Sequence, residues 1–247
     1  MFTLAHLSDL HATPIPLRAV PSMSFKQTLG WLKWTLKRSK EHRTEVLNAL
    51  VEDLQTSQPD HVVVTGDLTN LGMEAEFSAA VTWLQRLGGP QQVSIVPGNH
   101  DTYTFGSVTP SSPDVLWHHW MEYLQSDSQE RTYDFPTLRI RGLVALIGVS
   151  SAQPTNLFYA SGSVGKEQLE RLEQLLHSLA ESGLCRVVLI HHPLSKEGLP
   201  QRRRLSDAQA VQDILQRAGA DLVLHGHIHR TSMLTIPGRD NDIPVIG

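Results

Sequence analysis

Short apolar runs alternate along the chain with longer stretches in which apolar residues return every three or four positions. The runs are Phe2-Thr3-Leu4-Ala5-His6-Leu7, His61-Val62-Val63-Val64, Val93-Ser94-Ile95-Val96, Arg186-Val187-Val188-Leu189-Ile190 and Leu222-Val223-Leu224. Runs this short, each closed by a turn or polar residue, predict buried strands. Leu138 to Arg141 and Leu143 to Val149 predict paired strands of a second sheet; Met233 to Ile236 and Pro244 to Ile246 predict further ones. Between them, helical spacing places Phe25, Leu29, Leu32 and Leu36 on one stripe, with Trp31 and Trp34 close by. Thr44 is set to cap a second helix, its inner face made of Val46, Leu47, Leu50, Val51 and Leu54. Phe77, Val81, Leu84 and Leu87 mark a third. Leu169, Leu172, Leu175, Leu176 and Leu179 mark another, and Val211, Ile214 and Leu215 the last. Strands alternating with helices predict parallel βαβ units and an α/β fold, read economically as one domain over 1–247. Two stretches break the pattern and are expected to be insertions, near 14–43 (opened by Pro14, Pro16 and Pro21) and near 102–136. In the second, Pro110 and Pro113 predict loop, and Trp117, Trp120, Met121 and Leu124 a short helix beside the site.

The residues that close the strands carry the candidate chemistry. The runs stop on Ser8-Asp9-Leu10-His11, Thr65-Gly66-Asp67, Pro97-Gly98-Asn99-His100-Asp101, His191-His192-Pro193 and His225-Gly226-His227-Ile228-His229. One such polar turn is ordinary. Five in order, each after a strand, are not, because the carboxyl ends of parallel strands share an edge where ligands bind. Asp9, His11, Asp67, Asn99, His191, His227 and His229 thus form a candidate metal set. They are mixed nitrogen and oxygen donors, too many for one zinc and suited to two ions with Asp67 as the bridge. Such donors favour Mn, Fe, Zn or Co over Mg or Ca. Two divalent ions outweigh the charge of Asp9 and Asp67, so the site attracts an anion. Metals about 3.5–4 Å apart activate a water and clamp both oxygens of an in-line displacement, a service phosphorus chemistry needs. His191 sits right at its strand end; His192 is expected to support it or face substrate, and His225 to be a strand-end residue. His118 and His119 are expected to be surface histidines.

Bulk properties narrow the partners. The chain has 247 residues, 40% hydrophobic and 19% charged, which fits an ordinary globular protein. A net charge of -4 gives no general attraction to nucleic acid, and no long basic groove is visible, so a nuclease or a nucleic-acid polymer partner is not expected. The single cysteine, Cys185, precludes an internal disulfide and suits a reducing, cytoplasmic setting. Asp9 and His11 come too early for an apolar signal core. The end at Ile246-Gly247, without a polar tail, reads as a fragment's. One local charge stands out: Lys26, Lys33, Lys37, Arg38, Lys40 and Arg43 face only Glu41 in the Trp-bearing helical stretch. Such a helix either rests on an anionic membrane or, more commonly, packs on the body with a solvated basic face. Arg202-Arg203-Arg204 offers a phosphate fork in a later loop.

Taken together, Asp9-Leu10-His11, Gly66-Asp67, Gly98-Asn99-His100-Asp101, His191 and Gly226-His227-Ile228-His229 resemble the signature of the calcineurin-like metallophosphoesterases, across almost the whole chain. The layout is most similar to the bacterial branch holding cyclic-nucleotide and glycerophosphodiester phosphodiesterases. The resemblance implies a four-layer αββα sandwich with a dinuclear centre at the strand carboxyl ends. It implies that Asp9, His11, Asp67 and His229 hold one metal, and Asp67, Asn99, His191 and His227 the other. It implies that His100 is general acid or transition-state stabiliser, with Asp101 orienting it. The expected substrate contacts are Asn99, His100, His192, Arg202, Arg203 and Arg204. The expected reaction is attack of a metal-bridging hydroxide on a small phosphodiester. The alternative is a membrane-surface hydrolase of a lipid-linked phosphate or pyrophosphate, similar to UDP-diacylglucosamine pyrophosphatase, touching the membrane through residues 24–43. A non-catalytic scaffold is disfavoured because no signature residue is missing.

Overall fold

Strands β1 (Leu4–Leu7), β2 (His61–Val64) and β3 (Val93–Ile95) form one parallel sheet in that order. A second sheet is built from β4 (Thr137–Arg141), β5 (Val144–Val149), β6 (Cys185–Ile190), β7 (Leu222–Leu224), β8 (Met233–Ile236) and β9 (Ile243–Ile246). Its order is β4-β5-β6-β7-β9-β8; the four central strands run parallel and the two edge strands antiparallel. The helices are α1 (Phe25–Leu36), α2 (Thr44–Ser57), α3 (Glu74–Leu87), the short α4 (Met121–Leu124), α5 (Lys166–Ser178) and α6 (Ala208–Ala218). This computed structural model describes residues 1–13, 15, 23–36, 44–104, 118–127 and 134–247. Pro14, Pro16, Pro21, Lys37, Arg38, Lys40, Glu41, Arg43, Pro110, Pro113 and Trp117 lie outside the described residues, as do the side chains of Thr44, His118 and Met121.

Alternation along the central strands produces the layers. Leu146, Val187 and Leu189 point into a core shared with the first sheet and with Val51, Phe77 and Leu84 of α2 and α3. Their neighbours Ala145, Ile147, Val188 and Ile190 point the other way, onto Leu172 and Leu176 of α5 and Val211 and Leu215 of α6. Successive side chains of a strand face opposite sides, so strands apolar at every position need cover on both faces. The result is helix, sheet, sheet, helix. Arg139 ties the sheets together: buried on β4, it donates to the carbonyls of Val93 and Gln125, both at 2.8 Å.

Three details depart from the periodicity. The stripe Phe25, Leu32 and Leu36 does not face the body: these residues are 74%, 44% and 78% exposed. Helix α1 instead turns Lys26, Leu29, Gly30, Lys33 and Trp34 toward a cavity. Lys26 Nζ donates there to two backbone carbonyls, those of Tyr103 and Thr155. Val46 of α2 is likewise exposed, although Val51 and Leu54 are buried. Within 102–136, Trp120 stacks on Phe77 at 4.5 Å between ring centroids, and Trp120, Tyr123 and Leu124 join the core.

Candidate metal centre

The parallel ends of β1, β2, β3, β6 and β7 open where the two sheets meet, and their loops interlock through the backbone. The Asp9 N–H donates to the Gly66 carbonyl (3.1 Å), the His11 N–H to the Asp67 carbonyl (2.9 Å) and the Gly226 N–H to the His191 carbonyl (3.0 Å). The carboxylates are gripped the same way. Asp67 Oδ1 accepts from the His100 N–H at 2.7 Å, and Asp9 Oδ2 from the His227 N–H at 2.8 Å. Such closeness excludes a side chain at two of the motif glycines. A Cβ at Gly98 would collide with the Asp67 carboxylate, and one at Gly226 with Ser8 and Asp9. The turns are also tight: Asp9, His11, Asp67, His227 and His229 all hold positive φ, between 42° and 74°. Asp and His tolerate that region better than most residues, but five in one site mark a backbone arranged for its side chains.

All seven expected donors come together. One ligand atom each of Asp9, His11, Asp67 and His229 lie within 4.8 Å of one another. On the other side, Asn99 Oδ1 is 3.1 Å from His191 Nε2 and 2.8 Å from His227 Nδ1, and His191 Nε2 is 3.5 Å from Asp67 Oδ2. Backbone carbonyls settle what those ring nitrogens carry. His191 Nδ1 meets the Thr65 carbonyl at 2.7 Å, His11 Nδ1 the Thr69 carbonyl at 2.8 Å and His227 Nε2 the Arg203 carbonyl at 2.9 Å. A carbonyl only accepts, so each of those nitrogens donates and the opposite nitrogen of the neutral ring offers a lone pair. With both rings neutral and Asp67 ionised, His191 Nε2, His227 Nδ1, Asn99 Oδ1 and Asp67 Oδ2 converge as lone pairs. Asp9 Oδ1, buried without a hydrogen-bond donor, joins the other group. Clustered acceptors repel unless a cation sits between them, so these residues fit divalent ions.

Without a cation, the electrostatics keep protons at Asp67 and His191 that an ion would displace. Burial, with Asp9 and Asp101 adding to it, pushes the Asp67 carboxyl well above the usual carboxylate range. Burial opposes charge on His191, but Asp67 and Asp9 outweigh it and raise the imidazole. Burial, then His192 and His191, push His227 far down, which keeps it neutral and able to ligate.

Beside the donors lies a cavity of about 320 Å³, lined at its base by Asp67, Asn99, His100, His227 and His229 and at its rim by Arg202 and Arg203. His100 is anchored by its Nδ1 on the Asn70 carbonyl at 2.5 Å. Asp101 is not its orienter. The Asp101 carboxylate accepts from the N–H groups of Asp67, Thr69 and Gly98 at 2.8–2.9 Å, stapling two metal loops from beneath. His192 does not face substrate either. It is buried, with Nδ1 on Ser151 Oγ (2.8 Å) and Nε2 on the Ala160 carbonyl (3.2 Å), and its ring supports His227 at 4.5 Å. Arg204 turns away to the Leu199 carbonyl at 2.6 Å. His225 stays a buried strand-end residue on the Gly226 carbonyl. The sequence patterns missed Asn70 and Glu76. Glu76, buried at the start of α3, accepts from the Asn70 and Leu71 N–H groups and so fixes the carbonyl that holds His100. The polar run Thr69-Asn70 after Asp67 was the available signal.

Asp9, His11, Asp67 and His229 form a group able to hold a metal ion, and Asn99, His191 and His227 gather beside it. The chain belongs to the calcineurin-like phosphoesterase family, whose model matches residues 2–231. That family is dinuclear and metal-dependent. The chain is 27% identical over 183 residues to a probable glycerophosphodiester phosphodiesterase of Arcobacter nitrofigilis, covering 71% of this chain and 58% of that protein. It is 24% identical over 185 residues to a probable cyclic nucleotide phosphodiesterase of Synechococcus sp., covering 74% and 62%. It thus spans about three fifths of the length of these curated relatives. Its fold is similar to a dimetal phosphatase from Danio rerio (TM-score 0.58, 15% identity, 99% of this chain and 86% of that one). It is also similar to a purple acid phosphatase from yellow lupin (TM-score 0.59, 14% identity, 99% and 43%).

Proposed function

We propose that this chain is a dinuclear metal-dependent phosphodiesterase acting on small diesters, cyclic nucleotides among them. The observation that carries this is the convergence of seven nitrogen and oxygen donors, Asp67 at their centre, beside a cavity large enough for a nucleotide-sized ester. Asp9, His11, Asp67 and His229 would hold one ion, and Asp67, Asn99, His191 and His227 the other; Mn, Fe, Zn and Co suit these donors. When bound, the pair supplies an activated water and positive charge for the phosphoryl oxygens. The chain's own part is to exclude, orient and protonate. Asn99 and His100 meet the phosphate at the cavity base. His100, its Nδ1–H given to the Asn70 carbonyl, would in its imidazolium form give the Nε2 proton to the departing alcohol and be left as the neutral ring. Arg202 and Arg203 attract the anion at the rim. The names of the two curated relatives, both phosphodiesterases, support diester preference. The test is to load the protein with Mn and compare a diester, a monoester and a pyrophosphate under one set of conditions. Fastest turnover of the diester is expected; a pyrophosphate preference overturns it.

A second function is favoured by one observation. The helix that roofs the cavity exposes Phe25, Leu32 and Leu36 outward, in a stretch whose sequence is strongly basic. A hydrolase of lipid-linked phosphate resting on an anionic surface would use such a face. No helix among the described residues is long and apolar enough to cross a membrane. Flotation with phosphatidylglycerol vesicles decides it: binding lost in Phe25→Ser/Leu36→Ser supports the docking face, and a protein that never floats at low salt removes it.

A further inference from the structure

His100 is held at its Nδ1 by the Asn70 carbonyl. Two rings meet its own: His11 edge-on at 4.8 Å between centroids, and Tyr103 stacked at 5.4 Å with 18° between planes. Helix α1 in turn packs against Tyr103. Lys26 Nζ donates to the Tyr103 carbonyl at 2.7 Å and sits 4.5 Å from the centre of its ring. The same ammonium also donates to the Thr155 carbonyl at 2.7 Å, so it ties α1 to two loops at once. One turn on, Gly30 leaves the space the phenol fills: a Cβ there would lie 2.5 Å from Tyr103 Oη, 2.6 Å from Leu71 Cδ2 and 3.2 Å from Tyr103 Cζ. Glycine inside a helix costs stability relative to alanine, so its presence in α1 calls for a packing reason, and the phenol supplies one.

We infer that Tyr103 is a positioning residue for His100, and that α1, through Gly30 and Lys26, holds Tyr103 against it. The roof of the cavity is thereby coupled to the proton donor at its base, although α1 offers no donor to the metal site. This rests on His100 protonating the leaving alcohol, and the experiment separates the two. A nitrophenolate leaves without a proton, whereas an alkoxide does not. A disturbed His100 therefore slows an alkyl diester and spares a nitrophenyl one.

The Mn-loaded full chain is assayed on glycerophosphocholine and on bis(p-nitrophenyl) phosphate, with metal content measured on each variant. His100→Ala is expected to lose turnover selectively on the alkyl diester; equal rates on both substrates would sink the proton-donor role, and this inference with it. Given that selective loss, Tyr103→Leu is expected to lower kcat on the alkyl diester by roughly tenfold to a hundredfold, the scale of misplacing a catalytic group. KM, metal content and nitrophenyl turnover should hold. Tyr103→Phe, which keeps the stacked ring, should restore the rate. Gly30→Ala should lower the same rate, since the new methyl would meet the phenol hydroxyl and Leu71 Cδ2. In a His100→Ala background, Tyr103→Leu should add nothing. A Tyr103→Leu loss that is equal on both substrates, persists without His100 or accompanies metal loss overturns the positioning role and leaves the proton donor standing. Wild-type rates in Tyr103→Leu do the same.

Discussion

The base and the roof of the cavity are built by opposite rules. At the base, each donor loop is bonded to another loop through its backbone, and Asp67, Asn99, His191 and His227 are buried. At the roof, α1 has no buried residue at all. Single side chains tie it down: Lys26 to the carbonyls of Tyr103 and Thr155, and Gln27 to the Leu71 carbonyl at 3.2 Å. Chemistry that tolerates no displacement is placed on the over-determined part, and contact with the variable part of a substrate on the part that can shift. Changes at the base should therefore abolish function outright, and changes at the roof should grade it.

The largest effect is expected at the shared carboxylate. Asp67→Ala should leave at most one ion per chain by elemental analysis and lower turnover by roughly a hundredfold or more, beyond what support residues of metal ligands cost. Two ions at wild-type affinity would remove Asp67 as the bridge. Gly98→Ala, with every donor retained, should come close to it, because the new methyl occupies the Asp67 carboxylate's place. Next, His100→Ala should keep both ions and lower turnover on alkyl diesters about a hundredfold, the lower end for acid catalysis. At the roof, Trp34→Ala should raise KM roughly fivefold through the loss of about 1 kcal/mol of aromatic contact, with kcat unchanged. A kcat collapse in Trp34→Ala, which leaves Lys26, Gly30 and Tyr103 in place, would erase the contrast between the two regions.

The smallest effect lies away from the cavity altogether. Burial first, then Arg141 and Arg139, lower the His61 imidazole to about 4. Buried in the first sheet, it bonds Ser94 Oγ at 2.8 Å. Native His61 therefore stays neutral where the unfolded chain has already taken up a proton. Its contribution to stability is complete above about pH 6.5 and is lost as pH falls from there toward 4. Thermal unfolding across that window should show Tm falling less steeply in His61→Gln than in the wild type; parallel curves would free His61 from that role.

The base was legible from the chain alone because each strand and its polar terminus are local patterns, and parallel strands bring such termini together without further information. Asp9, His11, Asp67, Asn99, His191, His227 and His229 all arrive as expected. Of the two places open to His192, support or substrate, it takes the first: it bonds Ser151 Oγ and its ring packs on His191 and His227. Asp101 was misjudged because adjacency to His100 says nothing about a turn that aims its carboxylate back at three N–H groups. The orientation of α1 was not legible. Its two faces both carry apolar residues, and the partners that choose between them, Tyr103 and Thr155, lie more than seventy residues downstream. Arg202 and Arg203 of the 3-10 turn line the cavity and Arg204 turns to the Leu199 carbonyl, so a run of like residues reaches two different surroundings.

Five of the seven non-glycine residues with positive φ among the described residues are donors of the centre. Each such backbone carries a cost of order 1 kcal/mol that neighbouring contacts must offset. Chelation would leave those turns wound like springs with the catch removed. Hydrogen exchange should then quicken first at the amides of Asp9, His11, Asp67, His227 and His229, while Val63 and Val188 inside the sheets stay protected. Ions would act on this chain as clasps on its strand ends as much as reagents, and a preparation stored without them would age from the rim of the sheets inward.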